Sequence, residues 1–225
     1  MNIRWKTIPR ILMLVLFAST ASQSTMAQSD AAAKALLDKV SKQYASYQTV
    51  QADFTIKASQ GNQQADAYSD KGTLLMQAAA NKYHISMAEQ DLISDGKSQW
   101  TVLKDVKEVH VSDVDHTSQA ISPTNIFSFF DSGYKYVSAA DERDGHAPLH
   151  VVELSPEEPR KSQYFKIKLR INKADNLIRD VTVFDKNGTR YTYEIKNFKA
   201  NPSISPSKFT FSAQTYPGME VIDLR

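Results

Sequence analysis

The chain has 225 residues, 41% of them apolar and 23% charged, with a formal net charge of +2. That is enough apolar chain to bury one core of ordinary size, which excludes an intrinsically disordered protein. It contains no cysteine, so disulfide staples, thiol nucleophiles and cysteine-based zinc sites are excluded as well.

At the N-terminus, Arg4, Lys6 and Arg10 precede the apolar run from Ile11 to Ala18, and Thr25-Met26-Ala27 places small residues where a peptidase would cut before Gln28. The run falls short of the ~20 residues that span a bilayer. Residues 1–27 therefore read as a cleavable signal peptide, and residues 28–225 as one exported domain. Cleavage removes three cations and no acid, turning +2 into −1. A near-neutral chain lacks the basic face that nucleic acid binding requires. Without a cysteine to carry a lipid anchor, the expected product is soluble in the compartment it enters.

Ser29 or Asp30 can cap a helix whose apolar residues Ala33, Leu36, Leu37, Val40, Tyr44 and Tyr47 recur at steps of three and four, leaving Lys34, Asp38, Lys39 and Lys42 mainly on the wet side. From Val50 the period becomes two. Val50, Ala52, Phe54 and Ile56 alternate with polar residues, and after a loop around Gly61-Asn62 a returning strand runs from Gly72 to Met76. Asp95-Gly96 is a tight-turn pair. It predicts a hairpin with one arm running from Tyr83, Ile85 and Met87 through Leu92-Ile93, and the other carrying Trp100 and Val102 on the same apolar side before Val109-His110-Val111.

Ser122-Pro123 then introduces Ile126-Phe127-Ser128-Phe129-Phe130, ending near Gly133, which predicts a short and very apolar second helix. Strands follow over 149–154, 165–171 and 177–184, and Asn187-Gly188 turns the last of these into Tyr191-Tyr193-Ile195. Many strands joined by hairpins, with two helices, predict a mainly β fold. The expected form is a strongly curved antiparallel sheet, or unclosed barrel, with helices over its mouth.

Several of these stretches carry a family resemblance. They are Ser94-Asp95-Gly96-Lys97 followed by Trp100 and Val109-His110-Val111 in the central hairpin, and, in agreeing order and spacing, Leu36-Leu37-Asp38-Lys39-Val40, Ala52-Asp53-Phe54-Thr55 and Phe209-Thr210-Phe211. Together they resemble LolA, the periplasmic carriers of outer-membrane lipoproteins, over nearly all of residues 28–225. The resemblance implies an unclosed β-barrel lidded by helices. In the family, an arginine at the end of the strand matching Gly72 to Met76 helps hold the lid closed. Here Gln77-Ala78-Ala79-Ala80-Asn81 follows Met76, so the gate must differ, resting on Gln77 or on apolar packing of Phe127, Phe129 and Phe130.

Catalytic constellations are missing from the sequence. The five histidines have no metalloprotease spacing, and neither a Gly-x-Ser-x-Gly elbow nor a phosphate-cradling loop occurs. His84 and His110 occupy polar strand positions and read as exposed. Asp113-Val114-Asp115-His116 lacks the glycine and distal glutamate of a calcium loop. No enzyme, metal or cofactor is expected.

The informative feature is the apolar lining. Leu37, Val40, Phe54, Ile56, Leu74, Met76, Tyr83, Ile85, Met87, Trp100, Val102, Ile126, Phe127, Phe129 and Phe130 are expected to form a cavity and lid for acyl chains, Met and aromatic groups suiting cargo of varied shape. With the resemblance, this implies a monomeric carrier that takes the lipid-modified N-terminus of lipoproteins from an inner-membrane ABC transporter to the outer membrane, with or without a receptor there. Alternatives are a binding or sensing module for a glycolipid or polyketide-like lipid, and, more remotely, a lipid hydrolase.

Overall fold

The computed structural model describes residues 30–61, 68–114 and 125–225. The expected signal peptide, Ser29, Asn62, Asp115, His116 and Pro123 lie outside the described residues. Helix α1 spans Ala31–Ala45 and is capped by Asp30, whose carboxylate accepts from the amides of Ala32 at 2.8 Å and Ala33 at 3.3 Å. Its residues Ala33, Leu37, Val40 and Tyr44 are buried, three or four apart as the sequence pattern requires.

Twelve strands follow: β1 (Val50–Gln60), β2 (Tyr68–Gln77), β3 (Lys82–Met87), β4 (Gln90–Asp95), β5 (Ser98–Leu103), β6 (Glu108–Asp113), β7 (Tyr134–Asp144), β8 (Ala147–Pro156), β9 (Tyr164–Asn172), β10 (Ile178–Asp185), β11 (Thr189–Ala200) and β12 (Glu220–Asp223). They form one open sheet in the order β12-β6-β5-β4-β3-β2-β1-β11-β10-β9-β8-β7. Every pairing is antiparallel except β12 with β6.

Two expectations are corrected. The arm expected to run from Tyr83 through Ile93 is two strands, β3 and β4, which turn at Ala88-Glu89 and pair with each other. The second helix is a turn over Asn125–Ser128 and one 3-10 turn, Phe129–Asp131. Phe127 and Phe130 are the two buried residues there, and their spacing of three fits a 3-10 pitch. One α-helix, not two, therefore covers the sheet among the described residues.

Side chains alternate across each strand, so the register assigns every residue to a face. Val50, Leu74, Met76, Tyr83, Val152, Leu154, Ile167, Leu169 and Val181 join Leu37, Val40 and Tyr44 of α1 in the main core. A second, smaller core of Ile93, Val102 and Val109 lies on the opposite face, where Phe211, Tyr216 and Met219 of the C-terminal segment pack over it. The rest of that outer face, over β8 to β11, is a charged ladder in which Arg170 grips buried Asp180 through Nε at 2.9 and 3.0 Å.

Candidate functional site

The inner face under α1 has a deep part and an open part. Leu37, Val40, Leu74, Met76, Tyr83, Phe127 and Phe130 are buried together. Tyr44 closes this end, its ring stacked on Phe127 at 4.2 Å and set edge-on to Phe198 at 5.4 Å. Its hydroxyl accepts from the Ile178 amide at 3.0 Å, satisfying a donor beside a register shift in β10. Burial pushes the phenol's pKa above its usual value, so it stays neutral. Tyr83 is likewise pushed up, to about 12, by burial. α1 is further tied by Gln43 Nε2 donating to the Asp175 carbonyl at 2.9 Å and Ser41 donating to Asp131 at 2.8 Å.

Beyond the deep end, cross-strand pairing sets half-buried apolar residues in rows. Ile85 lies opposite Leu74, and Met87 and Phe54 flank Gly72. Ile56 stands next to Tyr193, itself opposite Val181. Gly72 is needed because a Cβ there would fall 2.6 Å from the Phe54 ring, 2.9 Å from Met87 Cγ and 2.4 Å from the Ser86 carbonyl. Phe54, Ile56, Ile85, Met87, Ile126 and Phe129 are thus half-exposed around the buried group.

Trp100 and Val102 do not join them. Ile93 pairs with Trp100, and Asp91 with Val102, which puts both on the outer face beneath the C-terminal segment. The hairpin's two apolar sets, Leu92 and Ile93, point opposite ways because they are adjacent in one strand.

His84 is also placed differently from the exposed position expected of it. Half-buried under the C-terminal segment, it lies 2.9 Å through Nδ1 from the Lys208 carbonyl. Beside it, buried Asp91 accepts from Tyr216 at 2.6 Å and Ser86 at 2.7 Å and pairs with Lys104 at 2.8 Å. Burial opposes the charge of Asp91, but bonds from His84, Lys104, Tyr216 and Ser86 outweigh it and hold its carboxyl well below the usual range. Tyr216, bonded to Asp91, and Lys208, bonded to His84, pin the C-terminal segment to the sheet here. His110 is half-buried and 2.8 Å from Glu108. Among the described residues, no group of three His, Cys, Asp or Glu side chains could hold a metal ion.

Two recesses, of about 320 and 160 Å³, lie at the β1–β11 bulge and beside the β9–β10 turn. Neither is lined by the residues expected to form the cavity. The deep part of the inner face is filled by the protein's own aromatic groups, with α1 above them.

An open, curved, twelve-stranded sheet with one helix on its apolar face matches what the family resemblance implies, and the sequence agrees: the family described as outer membrane lipoprotein carrier protein LolA matches residues 45–212. The chain belongs to the LolA family. Its fold is similar to an uncharacterized conserved protein from Thermus thermophilus, with a TM-score of 0.57 and 11% identity over 85% of this chain and 99% of that one. It is also similar to LprF from Mycobacterium bovis, with a TM-score of 0.50 and 10% identity over 79% and 98%. A LolA superfamily protein from Nitrosomonas europaea matches at 0.43 with 14% identity over 80% and 97%. No curated protein matches the sequence at a significant level. At these identities the likeness is one of fold.

Against the LolA arginine gate, the holding contacts here come from α1 itself. Among the described residues the Gln77 side chain makes no hydrogen bond, whereas Tyr44 and Gln43 reach the backbone of β10 and the turn before it. Tyr44 carries helical periodicity in the sequence, but its hydroxyl's partner lies 134 residues away, which spacing alone does not reveal.

Proposed function

We propose that this protein is an exported, soluble periplasmic carrier that binds the acyl chains of lipoproteins on the inner face of its sheet and delivers them to the outer membrane. It accepts cargo from an inner-membrane ABC transporter and performs no catalytic step. The observation that carries the reading is the combination, in a LolA-family chain, of an apolar inner face with a single helix as its cover.

Magnitudes support opening. Exposing Phe127 and Phe130 costs about 1.5–3 kcal/mol each, and leaving the Ile178 amide without a partner about 1–3 kcal/mol. One long acyl chain of more than a dozen methylenes, at ~0.8 kcal/mol each, gains on the order of 10 kcal/mol relative to water. Displacing α1 also exposes Leu37, Val40 and Tyr44, so apolar cargo of this size is what offsets the loss of the closing contacts, and the empty protein closes again.

Incubating the protein with spheroplasts that hold a triacylated lipoprotein tests this. Cargo released in soluble complex is expected, while failure alongside a working control carrier contradicts the reading. The same face would serve another acyl lipid, a reading favoured by Gln77 standing where the family has arginine. Mass spectrometry of ligands co-purified from the native envelope separates the two.

A further inference from the structure

The inner face is graded in polarity, and its open end holds two hydroxyls that meet no hydrogen-bond partner among the described residues. The chain has ten tyrosines, and eight of their hydroxyls meet hydrogen-bond partners. The other two are Tyr191 and Tyr193, for which no hydrogen bond is found among the described residues. They are adjacent on one face of β11, roughly 7 Å apart along the strand. Cross-strand pairing places Tyr193 between Ile56 and Val181, and Tyr191 between Ala58 and Val183. Val181 belongs to the main core and Val183 packs against it, so both rings rise from the inner face.

Both residues are half-buried, and no buried side-chain oxygen in the described structure lacks a partner, so their hydroxyls open into accessible space. Burial pushes the Tyr193 phenol above its usual pKa, which keeps it a neutral donor at physiological pH. In the other direction along β1, the face runs through Phe54 and Ala52 to Val50, paired with Met76 in the buried end. One end is therefore buried and apolar apart from phenols that already have partners, and the other offers paired donors at its edge.

We propose that Tyr191 and Tyr193 form the polar end of the acyl site, donating hydrogen bonds to the ester carbonyls at the head of bound acyl chains whose tails run toward Met76. This rests on the carrier reading above and adds a direction of entry and a chemical requirement, an acyl ester rather than a bare hydrocarbon. Phenols suit the task, since the ring lies against the methylenes while the hydroxyl meets the carbonyl. A diacylglyceryl lipoprotein and a diacyl phospholipid both carry such esters.

The test compares the protein with a Tyr191→Phe/Tyr193→Phe variant, which keeps both rings and removes two oxygens. Three probes are titrated: a dipalmitoylglyceryl-cysteine peptide, dipalmitoyl phosphatidylglycerol, and hexadecylpyrene, which has no carbonyl. The expected result is about tenfold weaker binding of an ester-bearing probe by the variant, the loss of two neutral hydrogen bonds, with hexadecylpyrene unchanged. Which ester probe shows the loss identifies the source of the ester. Equal binding of all three probes by both proteins, or an equal loss on all three, overturns the proposal while leaving the carrier reading in place. Failure of the unaltered protein to bind any probe defeats the carrier reading and the proposal with it.

Discussion

Gly96 shows how one residue fixes the local chain. Its φ of +93° lies in the left-handed region, and a Cβ there would come 2.3 Å from the Ala80 carbonyl oxygen. Gly96→Ala is expected to lower stability by about 2 kcal/mol, seen as a lower denaturation midpoint with unchanged slope. Asp91 makes a different demand. Its folded-state pKa lies below the ordinary 3.8, so the stability it contributes is complete above that value and is lost as pH falls through the folded pKa. Asp91→Asn should cost about 2–4 kcal/mol at neutral pH, because Lys104 loses its counter-charge and the amide leaves one acceptor oxygen where Lys104, Ser86 and Tyr216 use two. The gap between the two proteins should narrow below about pH 4, and a gap constant down to about pH 3 would contradict the assignment.

At the scale of elements, the proposed carrier role requires α1 to move, and Tyr44 is one of the groups that tie it down. Tyr44→Phe keeps the stack on Phe127 but strands the Ile178 amide. Hydrogen exchange along α1 should speed up by roughly tenfold, from a loss of about 1–2 kcal/mol, while exchange in β9 stays as it was. Unchanged exchange in α1 would mean that the phenol is no tie. α1 was legible in the sequence because its apolar residues keep a helical period and Asp30 caps it. β1, β2, β8, β9, β10 and β11 were legible through alternation and through turns such as Asn187-Gly188. β7 was not: beyond Tyr134 and Tyr136 it runs through Ala139-Ala140-Asp141-Glu142, an exposed edge with a bulge and no alternation. β12 is four residues long and pairs in parallel with β6, so no local signal announces it. The Phe127–Phe130 stretch reads as a helix because its apolar density suits one, yet a turn followed by one 3-10 turn is enough to bury the two rings.

For the whole molecule, the two faces of the sheet divide the work. The outer face is covered in part by charge pairs such as Arg170 with Asp180 and in part by the C-terminal segment over Ile93, Val102 and Val109. The sequence could not separate these residues from the inner lining, because Trp100 and Val102 look like any other apolar strand pair. Their face is set by the β4–β5 register and by a tail more than 100 residues downstream. The inner face lies under α1, tied to the rest of the fold by polar bonds from Asp30, Ser41, Gln43 and Tyr44.

The most direct test of cargo on that inner face is photo-crosslinking with a lipopeptide whose acyl chain carries a diazirine, followed by mass spectrometry of the labelled residues. Labels on Phe54, Ile56, Ile85 and Met87 are the predicted result. Labels confined to Trp100, Phe211 and Tyr216 on the outer face, or none at all under conditions where the lipopeptide is bound, would contradict it.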